Sequence, residues 1–165
     1  MRTAIVLAAI ALAVAAAAGP PPRLAMDRIG ALLPERLGGK RVMSRGVQGG
    51  TAFAAYLERA DPVSININVL GVGSVKEIPG SRYLGKDVRE RNEANRTDYR
   101  GLKVGGFPAV RLYSLSGSKK SEVNVFVVGA LQVNVAVQPS DDPDGAVPFA
   151  GQLDLAGMAK VVGAR

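Results

Sequence analysis

Neither cysteine nor histidine occurs anywhere in the 165 residues. Without cysteine the chain lacks the processing-site thiol that bacterial lipoproteins acylate, and no disulfide can reinforce its core, which must hold by packing alone. Without histidine it lacks the commonest general base and the commonest zinc ligand. The Ser–His and Cys–His nucleophile systems are excluded as well. Acidic side chains are the scarcer charge, 14 against 21 basic ones. Setting aside Arg2, the one charged residue of 1–18, leaves 20 basic against 14 acidic, an excess of six.

The start of the chain carries one long apolar run. Met1-Arg2-Thr3 is a short basic lead, residues 4–18 (AIVLAAIALAVAAAA) are unbroken apolar chain, and Gly19-Pro20-Pro21-Pro22 ends it. Such a run makes roughly 22 Å of helix against ~30 Å of bilayer hydrocarbon, too short to span comfortably. Ala16-Ala17-Ala18 offers the small residues that a signal peptidase needs. The expectation is an export precursor: residues 1–18 a cleaved signal peptide, and residues 19–165 a single α+β domain. That domain would be periplasmic or secreted, with no transmembrane span after processing; an uncleaved anchor is the competing reading. In that compartment a basic excess points to anionic lipid, lipopolysaccharide or cell-wall polymer, or to no specific partner at all, and not to nucleic acid.

Periodicity then sets out the elements. Residues 23–33 carry Leu24, Ile29, Leu32 and Leu33 at helical spacing ahead of Pro34. Residues 40–47 and 51–58 read as strands bounded by Gly38-Gly39, Gly49-Gly50 and Asp61-Pro62. Val63, Ile65, Ile67 and Val69 alternate with polar residues, the period of a strand with one buried face. Residues 71–95 read as a loop with a helical turn, leading into a solvated edge strand. Residues 97–104 and 107–115 flank Gly105-Gly106, a pair suited to a tight hairpin. After the 116–121 turn, residues 123–127 and 131–137 alternate again around Gly129-Ala130, and 147–153 and 155–162 read as short helices. The fold expected is α+β: an antiparallel meander of about six strands, with N- and C-terminal helices packed on one face.

The order of "LLPERLGG", a strand pair around Tyr56, "YRGLKVGGFPAVRLY", "EVNVFVVGALQVNVAV" and "LDLAGMAKV" resembles uncharacterised exported bacterial proteins. More loosely it resembles the PsbP/Mog1-type α+β fold. The likeness spans most of 24–162, with Gly106, Pro108 and Ala109 its motif-like positions. It implies a fold and a compartment, and carries over no catalytic residue.

Short segments with a chemical look are each weighed against a plainer role. Ser116-Gly117-Ser118-Lys119 matches S-x-x-K, but the partner motifs S-D-N and K-T-G are absent and a hairpin turn explains it. Gly71-Val72-Gly73-Ser74 follows a strand as a phosphate loop would, yet Lys76 stands where the third glycine belongs. Ser140, Asp142, Asp144 and Gly145 imitate half of a calcium loop, but Gly151 replaces the bidentate Glu, so acidic residues ahead of a helix are the simpler reading. Glu58, Asp61, Glu90, Glu93 and Asp98 lie among cations, where surface pairing accounts for them. The densest basic run is Arg82, Lys86, Arg89, Arg91, Arg96, Arg100 and Lys103, with Tyr83 and Tyr99 beside it. It is either a solvated strand or an anion-binding edge.

These readings point to a non-enzymatic exported accessory protein of the envelope, using no cofactor or metal. Its partner would be an envelope protein or an anionic envelope component. A small carboxylate-dependent hydrolase of envelope polymers is the alternative, and a structural subunit of a larger assembly a third.

Overall fold

The computed structural model describes residues 23–58, 61–72, 76, 78–127 and 131–163. The leader expected at 1–18, the cut before Gly19 and the Gly129-Ala130 turn lie outside them. Helix α1 (Arg23–Leu32) is followed by β1 (Arg36–Leu37), β2 (Lys40–Gln48), β3 (Thr51–Glu58) and β4 (Asp61–Gly71). The second half holds β5 (Arg89–Asn92), β6 (Thr97–Val104), β7 (Phe107–Ser114), β8 (Lys120–Val127) and β9 (Leu131–Gln138). It ends in α2 (Val147–Ala150) and α3 (Leu155–Gly163).

The expected six-strand α+β arrangement is overturned. Among the described residues nine strands lie in a single antiparallel sheet of order β1-β2-β3-β4-β9-β8-β7-β6-β5, and the α-helices are three short ones. The count rises because strands form where no apolar alternation announces them. β1 is a two-residue pair with Lys40 and Arg41, and β5 (RERN) has no apolar residue at all. Backbone hydrogen bonding to a neighbour makes these edge strands, and only Leu37 of β1 adds a side chain to the core.

Two meanders meet in the middle. β1 to β4 step inward from one edge, β5 to β9 step inward from the other, and β4 pairs with β9 from Ser64↔Gln138 to Gly71↔Leu131. Gly38-Gly39, Gly49-Gly50 and Gly105-Gly106 all have positive φ at both positions, the backbone of the two-residue turns whose twist suits hairpins. The inner face carries Ile65, Ile67 and Val69 of β4, Val133 and Val135 of β9, and Val123, Val125 and Val127 of β8. Met26 and Ile29 of α1, Ala150 of α2, and Leu155 and Met158 of α3 close over them. Helix α1 packs on β2, β3 and α3, whereas α2 and α3 lie against β8, with α2 reaching β9.

The link between the meanders crosses the outer face. Val72, Ile78 and Tyr83 pack with Val110 of β7 in a second, smaller apolar cluster. A three-residue 3-10 turn (Ser81–Tyr83) brings the chain down on β6 at Gly101. A Cβ there would stand 1.9 Å from the Lys86 carbonyl oxygen and 2.0 Å from that of Tyr83, so only glycine admits the crossing. On the same outer face, Gln132 and Asn134 donate to the buried Asn124 carbonyl oxygen at 2.8 Å.

Candidate functional site

The helices do not reach the whole inner face. Across β5, β6 and β7 the directly opposed residues are Arg89, Arg100 and Arg111. The same row runs on through Val123, Val135 and Ile67 of the core. Residues directly opposite share a face, so three guanidinium groups stand in one cross-strand row at the edge of the apolar core. Like charges so placed repel, and two carboxylates hold them. Asp98, on β6, binds Arg89 through Nη2 at 2.8 Å and Nε at 3.2 Å, and binds Arg111 Nη1 at 3.2 Å. Asp144 accepts from Arg111 Nε at 3.0 Å and from Arg100 Nη1 at 3.3 Å.

Arg111 is the centre of this chain of ion pairs, with its side chain only 2% exposed and its Nη1 also donating to the Asp98 carbonyl. A guanidinium so deep is tolerable only when paired and hydrogen-bonded. Burial, the largest influence on the Asp98 carboxyl, acts to raise its pKa. The hydrogen bonds and charges of Arg89 and Arg111 together outweigh it and hold that pKa below the usual range. Asp98 in turn raises the pKa of Arg89.

Asp144 arrives from the 139–146 segment, which replaces a helix as the cover here. Tyr113 Oη donates to the carbonyls of Ser140 and Asp141 at 3.2 and 3.3 Å. Ser121 Oγ donates to the Pro143 carbonyl at 2.8 Å and accepts from Ala146 N at 3.0 Å. Between this cover and β5 lies a cavity of about 320 Å3, lined by Arg89, Arg91, Asp98, Tyr113, Leu115 and Pro143.

The sheet divides the seven basic residues singled out above. Arg89, Arg91 and Arg100 share the inner face by alternation and pairing. Arg82 lies on the outer side, over the Tyr83 ring at 4.6 Å and paired with Glu90 at 2.6 Å. The Lys86 backbone crosses the outer face at Gly101, and Lys103 shares that face by alternation. Arg96 sits in the β5–β6 turn at φ 50°. Tyr83 and Tyr99 pack on each other on the outer side, their ring centres 5.6 Å apart. The Tyr83 hydroxyl is buried without a hydrogen bond among the described residues, and burial raises its pKa. Sequence reasoning missed Arg111 and the part played by Asp144.

The remaining candidates take structural places. Ser116 Oγ lies 3.2 Å from Ser114 Oγ, while Lys119 pairs with Asp141 at 2.8 Å, a contact that raises the lysine's pKa where a catalytic base needs it lowered. Gly73 and Ser74 lie outside the described residues. Asp142 spends its carboxylate on Asp144 N, and no cluster of three or more metal-ligating acids occurs among the described residues. Glu58 and Asp61 stand opposite each other at the β3–β4 turn, where Asp61 accepts from Lys40 and Val63 N, and its pKa is lowered. Glu93 pairs with Arg91 at 2.8 Å. No described helix is long and apolar enough to cross a membrane.

No protein-family model, no curated protein and no solved structure matches the chain, so the resemblance to exported proteins and to the PsbP/Mog1 fold rests on sequence patterning alone.

Proposed function

We propose that this protein is a non-enzymatic, exported binding protein of the bacterial envelope that holds an anionic envelope component on the inner face of β5–β7. The observation that carries the reading is the pair Arg89 and Arg91 on the inner face of β5, both lining the cavity, with Arg89 steadied through Asp98 by the buried Arg111 and Asp144. Arginine suits such a role because its planar fork stays charged and meets oxyanions with two hydrogen bonds at once. The leader-like residues 1–18 support export. Carboxylate hydrolysis has less in its favour, since a general acid needs a raised pKa and Asp61 and Asp98 are both lowered.

Vesicles containing phosphatidylglycerol, compared with phosphatidylcholine alone, test this reading. The variant R89Q/R91Q removes two charges from the inner face, and K86Q/K103Q removes two without touching it. Binding to the anionic vesicles is expected to weaken as salt shortens the screening length from ~10 Å at 0.1 M to ~3 Å at 1 M. The inner pair is expected to weaken it more than the control pair. Equal loss in both variants would leave only net charge as the cause and would sink the proposal.

A further inference from the structure

We propose that the cavity between β5 and the 139–146 segment takes the head group of a phosphate ester, with the phosphate on Arg89 and Arg91 and the organic part against Tyr113, Leu115 and Pro143. This rests on the anion-binding reading above and makes it specific. Arg89 and Arg91 are two apart on β5 and therefore point to the same side, with Arg91 and Asp98 directly opposed in the next row. Arg89 commits Nε and Nη2 to Asp98, and Arg91 commits Nε to Glu93. Among the described residues nothing engages Nη1 of Arg89 or the terminal nitrogens of Arg91, which can meet a ligand.

The site is held before a ligand arrives. Asp98 fixes the Arg89 guanidinium, Arg111 fixes Asp98, and Asp144 fixes Arg111. Orientation by such a supporting shell lowers the ordering cost of binding. Asp98 borders the cavity but is bonded to two guanidinium groups, so its repulsion of an incoming anion is offset. Nη1 of Arg89 and the terminal nitrogens of Arg91 come from two side chains, and the three non-bridging oxygens of a phosphate ester can accept from both at once. The opposite wall is Leu115, Pro143 and the Tyr113 ring, whose hydroxyl is engaged with Ser140 and Asp141. That wall has nothing to offer a bare inorganic ion, and it would bury carbon. At about 320 Å3 the space suits a small ester and not a polymer chain.

The test is titration of isotope-labelled protein with inorganic phosphate, phenyl phosphate and dihexanoylphosphatidylglycerol below its self-association limit, followed through the amide signals of Tyr113 and Leu115. Phenyl phosphate is expected to saturate with a Kd about tenfold below that of inorganic phosphate, a gain of about 1.4 kcal/mol. Binding of the lipid at similar strength would assign the ester to a membrane head group, and its failure beside phenyl phosphate would assign it to a soluble ester. Arg91→Gln, whose side chain is exposed and cheap to change, is expected to weaken phenyl phosphate on the order of tenfold. Leu115→Trp is expected to abolish saturation by filling the cavity while leaving the difference between R89Q/R91Q and K86Q/K103Q on vesicles. Equal affinity for inorganic and phenyl phosphate, or unaltered binding in Leu115→Trp, would overturn the cavity assignment even with the vesicle result intact. A vesicle test that fails on its own terms removes the broader reading instead.

Discussion

Arg111 shows what one misplaced-looking side chain can mean. It occupies the strand parity of Ala109 and Tyr113, both buried, so its guanidinium points into the protein and needs counter-charge there. The signal was present in the sequence as a cation at a core position of an apolar strand, but its partners lie 13 residues before it and 33 residues after it, out of reach of local pattern. Arg111→Met should therefore be strongly destabilising, by roughly 3–5 kcal/mol in urea unfolding, because it strips Asp98 of a buried partner and Asp144 of its deepest one. Arg91→Gln, an exposed pair with Glu93, should fall within about 0.5 kcal/mol of the parent. Acid should act through the same group. Since the folded pKa of Asp98 is lowered, its contribution is complete above the ordinary value near ~4 and is lost as pH falls through the lower folded value. The urea midpoint should be flat from about pH 7 to about pH 5 and fall below about pH 4, with a smaller acid slope in Asp98→Asn. An unchanged slope would mean that other carboxylates carry the effect.

Elements divide by how their strands are stabilised. Those with a buried face, such as β4, β8 and β9, announce themselves by alternating valine and isoleucine, and the paired glycines mark hairpins β1–β2, β2–β3 and β6–β7. The edges do so only faintly: β1 is two residues long with Leu37 alone turned into the core, and β5 is wholly polar, so apolar alternation marks the inner strands. The crossing segment was legible as a loop with a helical turn, but its landing place was not, because Gly101 reads as any strand glycine. Gly101→Ala should shift the crossing and cost roughly 1–3 kcal/mol, as overpacking against backbone cannot be relieved by a side-chain rotation. Gly106→Ala meets open space and should cost about 1 kcal/mol from its positive φ alone. Urea unfolding of both variants ranks them; a costlier Gly106→Ala would refute the close-approach argument.

At the scale of the molecule, the β4–β9 seam is where the two meanders become one sheet. It joins residues as far apart in sequence as Ser64 and Gln138, so its formation must close a long loop before any pairing is gained. Once formed it is central, with β3 on one side and β8 on the other, and its inner side chains Ile65, Ile67, Val133 and Val135 are fully buried. Amide protection should therefore rise inward from both edges. Hydrogen exchange read by mass spectrometry should find β1 and β5 fastest, β4, β8 and β9 slowest, and the slowest set exchanging together at the global unfolding free energy. Ile67→Ala removes a wholly buried side chain at the seam and should cost about 2–5 kcal/mol. If the halves form one cooperative unit, that loss should appear equally in β3 of the first meander and β7 of the second. Loss confined to β3 and β4, with β7 and β8 still protected, would show instead that the second meander and its arginine row stand without the first.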